Sequence, residues 1–119
     1  MKSILILESS SAVAQTLSLN LEKRGWNVAS CDDRDGAIRR LAGDFGCSVI
    51  LLSYNVPGGN GVQLVGFIRA LDHRRTTAVV MVTNSAEALE QALTAGADEV
   101  LLEPIDPNAL ASIVDKHFS

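Results

Sequence analysis

The stretch Val49-Ile50-Leu51-Leu52-Ser53-Tyr54-Asn55-Val56-Pro57-Gly58-Gly59-Asn60-Gly61 decides the fold. Its first four residues form an unbroken aliphatic run, the pattern of a strand covered on both faces. Polar residues and a Pro-Gly-Gly turn then stop the run. From Gly61 onward Leu64, Val65, Ile68 and Leu71 recur at helical spacing, so the unit reads strand, loop, helix.

The same rhythm extends in both directions. Upstream, Ile4-Leu5-Ile6-Leu7 passes through Ser9-Ser10-Ser11, any of which can cap a helix, to Val13, Leu17 and Leu21 on one face and a stop at Gly25. Trp26-Asn27-Val28-Ala29 is the most polar run and suits an edge strand; a helix follows Asp32-Asp33, carries Ala37, Ile38 and Leu41, and ends before Gly43. Downstream, Val79-Val80-Met81-Val82 precedes a helix capped by Asn84 or Ser85 and ended by Gly96. Val100-Leu101-Leu102 precedes a helix that opens with Asp106-Pro107, a cap followed by proline at the first helical position. Strand-helix repeated in this way, without linker or low-complexity stretch, predicts a doubly wound parallel sheet. Its functional crevice lies beyond the carboxyl ends of the strands. The residues there are Glu8-Ser9, Ser53 to Gly61, Thr83-Asn84 and Glu103-Pro104.

Composition narrows the function. The chain has 119 residues, 47% of them hydrophobic and 20% charged, as one globular domain should. Ten Lys and Arg against 14 Asp and Glu leave a net charge of −4, without the basic excess that phosphate-backbone binding needs, so no direct nucleic-acid contact is expected. The longest apolar runs fall well short of the roughly 18 residues of a membrane span, and no signal peptide is read. Cys31 and Cys47 stand far apart, outside any C-x-x-C pattern, and read as small buried hydrophobes in a reducing, cytoplasmic setting.

With these motifs in place, the whole chain resembles the receiver domain of bacterial two-component response regulators. Val49 to Gly61 resembles that family's strand, phosphoacceptor loop and following turn, Met81-Val82-Thr83 its strand ending in a switch hydroxyl, and Ala95-Gly96-Ala97-Asp98-Glu99 with Pro104 its last helix end, strand and proline. The resemblance implies a flavodoxin-like five-stranded parallel sheet, order 2-1-3-4-5, flanked by five helices. It also implies chemistry in which an aspartate attacks a phosphoryl group while Mg²⁺ neutralises the developing charge.

The chemical positions depart from that pattern. The phosphoacceptor position is Ser53, the metal-holding acidic pair is Glu8-Ser9, the lysine before the last-strand proline is Glu103, and the coupled aromatic of the last strand is Val100. A neutral hydroxyl is a poor nucleophile without a base and a poor substitute for a carboxylate on Mg²⁺. An anion brought near Glu103 meets a like charge, worth about 4 kcal/mol at 4 Å in a medium of effective dielectric 20. The separate departures at Ser9, Glu103 and Val100 speak against a single replaced residue at Ser53. The expectation is a pseudo-receiver, a receiver fold with a degenerate phosphorylation site at Glu8, Ser9, Ser53, Thr83 and Glu103.

The expected function is a phosphorylation-independent signalling or scaffold module, not an enzyme, acting through a protein partner or a homodimer. Ala88, Ala92 and Ala95 at i, i+4, i+7 would pack on the sheet and turn Leu89 and Leu93 outward beside Val100, on the face of the fourth helix, last strand and last helix that the resemblance implies is the partner surface. No cofactor is expected. The alternative is a switch that still holds a divalent cation, Mg²⁺ or Ca²⁺, on Glu8 and the Asn55 carbonyl, or is modified at Ser53 with Glu8 or Glu103 as base. No histidine is expected at this rim, His73 falling in a loop and His117 in the last helix. Arg39-Arg40 and Arg74-Arg75 read as solvated ends of a helix and a loop, and Gly58-Gly59 as a flexible loop. One receiver-like domain spanning residues 1–119 is expected; Met1 fits a natural start, and a stop at Phe118-Ser119 fits excision from a longer signalling protein.

Overall fold

Ile4, Leu5, Ile6 and Leu7 are all buried because β1 (Ser3–Leu7) lies inside a parallel sheet, flanked by a strand on each side and with helices on both faces. The computed structural model describes residues 2–43, 46–56, 59–104 and 106–118. The elements that follow β1 are α1 (Ser11–Glu22), β2 (Asn27–Cys31), α2 (Arg34–Ala42), β3 (Val49–Ser53), β4 (Asn55–Val56), β5 (Gly59–Asn60), α3 (Gly61–Ala70), β6 (Ala78–Thr83), α4 (Ala86–Ala95), β7 (Glu99–Leu102) and α5 (Pro107–Phe118). The sheet runs β2-β1-β3-β6-β7 with every neighbour parallel, the expected 2-1-3-4-5 order.

Alternation along the strands divides the core in two. Leu5, Leu7, Ile50, Leu52, Val79 and Met81 meet Ala37, Leu41, Leu64, Val65, Ile68 and Ala92 from α2, α3 and α4. Ile4, Ile6, Val49, Leu51, Ala78 and Val80 meet Leu21, Leu110, Ala111 and Val114 from α1 and α5, together with Trp26. The central strands are continuously apolar because both of their faces are covered. β2, by contrast, leaves Asn27 and Ser30 exposed, as an edge strand does.

Each helix begins at a side chain that accepts an otherwise orphaned amide. Ser10 caps Val13 at 3.3 Å, Asp33 caps Gly36 at 2.8 Å and Asn60 caps Gln63 at 2.9 Å. Ser85 caps Ala88 and Asp106 caps Ala109, both at 3.2 Å. Gly96 closes α4 in the left-handed region, φ +117°, where a side chain would be strained.

Four expectations need correction. Arg74 is 4% exposed rather than solvated: it lies in a 3₁₀ turn (Asp72–Arg74) and donates from Nε to the Leu41 carbonyl at 3.1 Å. His73 shares that turn instead of a loop, and its Nε2 sits 3.0 Å from the same carbonyl. Val13 does not face the core; Ala14 and Leu21 do, and Val13 is 45% exposed. The cysteines are half-buried rather than buried. At the amino ends of the strands, Arg69 binds the carbonyls of Gly96, Arg74 and Thr77 and the carboxylate of Asp98, fixing the end of the sheet opposite the candidate site.

Candidate functional site at the carboxyl ends of the strands

Leu7 pairs with Leu52 across β1 and β3, so the next residues of the two strands, Glu8 and Ser53, emerge side by side. The Ser53 hydroxyl donates to Glu8 Oε1 at 2.7 Å, and the Ser10 amide donates to Glu8 Oε2 at 3.0 Å. Both carboxylate oxygens are thus engaged by neutral donors, and the charge on Glu8 is solvated by the protein without being cancelled. Ser9 projects into solvent.

The loop after β3 returns as a two-residue antiparallel hairpin in which Asn55 opposes Asn60 and Val56 opposes Gly59. Pro57 and Gly58 lie outside the described residues, and with Gly58 part of the Gly58-Gly59 loop expected to be flexible. The hairpin was not read from sequence, although Pro-Gly-Gly between short polar flanks is a hairpin signal. Gly61 anchors its base: its amide donates to the Tyr54 carbonyl at 2.8 Å, and a Cβ there would fall 2.7 Å from Met81 Cε and 2.9 Å from the Ser53 carbonyl.

Thr83 ends β6 and is 1% exposed. Its hydroxyl oxygen accepts the Ser85 amide at 3.1 Å, and its carbonyl accepts the Glu103 amide at 2.8 Å, so the threonine links the β6 and β7 ends. Glu103 itself is exposed and precedes a cis peptide to Pro104. Cys31 sits at the end of β2 with its thiol pushed up to about 11, chiefly by burial.

Glu8, Ser9, Ser53, Asn55 and Glu103 come together around one cleft of about 610 Å³ between α1 and α5. Thr83 lines none of it. Ala12, Val13, Thr16 and Leu17 from α1 and Pro107 and Leu110 from α5 form the walls, and Leu51 and Val82 lie in the floor. The outward Val13 and Thr16 were not read as site residues from sequence; the i+3 pair could have shown it once Ala14 is placed inward.

A resident Mg²⁺ does not fit this donor set. The ion demands near-octahedral oxygen ligation, usually from one or two carboxylates and added phosphate oxygens. Here a single carboxylate with both oxygens already bonded stands beside serines, and among the described residues no three His, Cys, Asp or Glu side chains cluster as ligands.

On the other side of the sheet end, Ala88 and Ala92 of α4 are buried, Leu89 is half-buried and Leu93 is 47% exposed, beside a half-buried Val100 on β7. Leu102, at the end of β7, is 46% exposed and adds to the apolar surface. Glu99 of β7 receives Lys116 Nζ at 3.2 Å and the His117 imidazole from α5, and the His117 hydrogen bond is the main reason its carboxyl is held below the usual range.

Residues 4–115 match the family model of the response regulator receiver domain. The chain belongs to the receiver domain family. It is 28% identical over 111 residues to the phosphate regulon transcriptional regulatory protein PhoB of Escherichia coli, covering 92% of this chain and 48% of PhoB. The chain therefore spans between 24% and 48% of the length of the curated relatives it matches. A putative response regulator from Chloroflexus aurantiacus superposes with a TM-score of 0.91 at 23% identity, over 98% of this chain and 97% of that one. The beryllofluoride-activated NtrC4 receiver domain dimer superposes at 0.89 and 24% identity, over 99% and 97%. These structures share the receiver fold, and the chain is a receiver domain of two-component signalling. No helix among the described residues is long and apolar enough to cross a membrane.

Proposed function

We propose that this receiver domain signals by protein contact, without phosphoryl transfer at position 53 and without acting as an enzyme. The observation that carries the reading is the 2.7 Å hydrogen bond from Ser53 to Glu8, which puts a neutral hydroxyl bonded to a glutamate in the place where the family resemblance puts a nucleophilic carboxylate and its metal. Glu103, where the resemblance puts a lysine, adds a negative charge to the same rim. An incoming phosphoryl group meets two carboxylates and no cation among the described lining residues.

The partner surface in this reading is the α4, β7 and α5 face, with Leu89, Leu93 and Val100 as contacts for a protein partner or a second copy. The outward Leu93 and inward Ala88 and Ala92 support it. A cytoplasmic receiver unit able to work inside a longer signalling protein belongs to the same proposal. The test is a two-dimensional amide spectrum titrated with Mg²⁺ and then beryllofluoride. Unmoved resonances at Glu8, Ser53, Thr83 and Glu103 are the expected result. Shifts that spread from these residues to Val100 and α4 would overturn it, and a response to Mg²⁺ alone would favour the divalent-cation switch instead.

A further inference from the structure

We propose that the cleft between α1 and α5 binds a small organic cation with an apolar body, an alkyl- or arylammonium ion. Its volume, about 610 Å³, falls within the range of small-molecule sites. Among the described lining residues the ionisable side chains are Glu8 and Glu103, with no Lys, Arg or His to offset them. The partners of the Glu8 carboxylate, the Ser53 hydroxyl and the Ser10 amide, are neutral donors. Glu103 stands exposed at the mouth.

The body of the cleft is aliphatic. Val13 lies 45% exposed on the wall formed by α1, an arrangement that leaves apolar surface in water until something covers it. Leu110 faces it from α5. An anion is repelled at this rim, and a neutral apolar molecule gains nothing from the two carboxylates. A cation with an aliphatic tail satisfies both parts, its charge between Glu8 and Glu103 and its tail between the helices.

This inference rests on the reading of the rim as one without phosphoryl chemistry, and the experiment separates the two. The chain is titrated with n-hexylammonium, with hexanoate as the charge control, and amide shifts are followed. Saturable shifts at Val13, Thr16, Ser53 and Glu103 with hexylammonium and none with hexanoate are expected. Glu103→Gln should weaken the binding about threefold, and Glu103→Lys should remove it while leaving the spectrum dispersed. Val13→Trp, at an exposed position, should fill the cleft and block saturation. Equal response to both probes, no saturation, or binding unaltered by Glu103→Lys overturns the proposal. Beryllofluoride with Mg²⁺ on the same sample sorts the failures: a response to it overturns the underlying reading, whereas silence toward it together with silence toward hexylammonium overturns the cleft site alone.

Discussion

Asp115 on α5 accepts the indole N–H of Trp26 at 2.6 Å, and the same carboxylate holds Arg24 at 2.9 Å and Lys2 at 3.4 Å. Lys2 also lies over the Trp26 ring, 5.5 Å from its centre. One side chain thus ties the last helix to the start of the chain and to the turn before β2. Asp115→Ala should lower stability by about 1–2 kcal/mol, since it removes a charged acceptor from a buried N–H in a partly solvated setting. Urea unfolding followed by Trp26 fluorescence reads it; a midpoint equal to that of the parent would contradict the assignment.

The same cluster sets an acid limit. Burial pushes the Asp115 carboxyl up, but hydrogen bonds from Trp26, Arg24 and Lys2 outweigh it, and its pKa in the folded chain lies below the ordinary 3.8. Glu99, held chiefly by His117, lies below its ordinary 4.5. Each group binds protons more readily when unfolded, so its contribution is complete above about pH 5 and is lost as the pH falls through the lowered folded values. Urea midpoints should hold from neutrality to about pH 5 and then drop, and the double variant Glu99→Gln, Asp115→Asn should drop less steeply.

Restoring the family's aspartate at position 53 should not restore phosphorylation. A carboxylate there sits against Glu8 at what is now hydrogen-bond distance, and no cation among the cleft residues offsets the pair. Ser53→Asp should cost about 1–2 kcal/mol of stability after allowance for solvent screening, more than Ser53→Ala. Incubation with radiolabelled acetyl phosphate should leave Ser53→Asp unlabelled; efficient labelling would show that Glu8 and Glu103 do not block the chemistry.

Two glycines of α3 make a matched pair. Gly61→Ala drives a methyl into the Met81 side chain and the Ser53 and Tyr54 backbone, and should destabilise by about 1–3 kcal/mol. Gly66→Ala meets nothing within 4 Å and should stabilise by about 0.5–1 kcal/mol through helix propensity. Urea midpoints moving in opposite directions with unchanged slope would bear out both.

The Cys31 thiol, at about 11 against an ordinary 9.0, should hold about a hundredfold less thiolate than a free cysteine at pH 8. Its reaction with a disulfide reagent should be correspondingly slow in the native chain and accelerate on unfolding in urea. A native rate equal to the unfolded one would show that the β2 end is open.

Leu93→Glu should leave the unfolding midpoint within about 0.5 kcal/mol of the parent, because the side chain is already 47% exposed. It should also abolish any self-association or partner contact through α4, read by light scattering. Ala92→Glu, at a fully buried position, should unfold the domain.

The fold was legible because local signals agreed. Ser10, Asp33, Asn60, Ser85 and Asp106 each cap a helix where the sequence has a capping residue ahead of an apolar period. The rim was legible because parallel topology places Glu8, Ser53, Thr83 and Glu103 at strand ends whatever their chemistry. Orientation was harder. Val13 fits the apolar period of α1, yet Ala14, small enough to approach the sheet closely, takes the inward place. Arg74 reads locally as a loop cation, but its acceptors lie far away in the chain, among them the Leu41 carbonyl 33 positions earlier and the Cys47 sulfur. The Glu8–Ser53 hydrogen bond joins residues 45 positions apart, and no local pattern encodes it.

The position of β1 also bears on how the chain is made. Within this fold β1 is made before both of the strands that flank it in the sheet, β2 and β3. Leu110, Ala111 and Val114 of α5, which share a core cluster with Ile4 and Ile6, come from the far end of the fold in chain order. Ile4 and Ile6 therefore lack part of their cover until α5 has been made, and the domain gains its full cooperativity only when that helix docks.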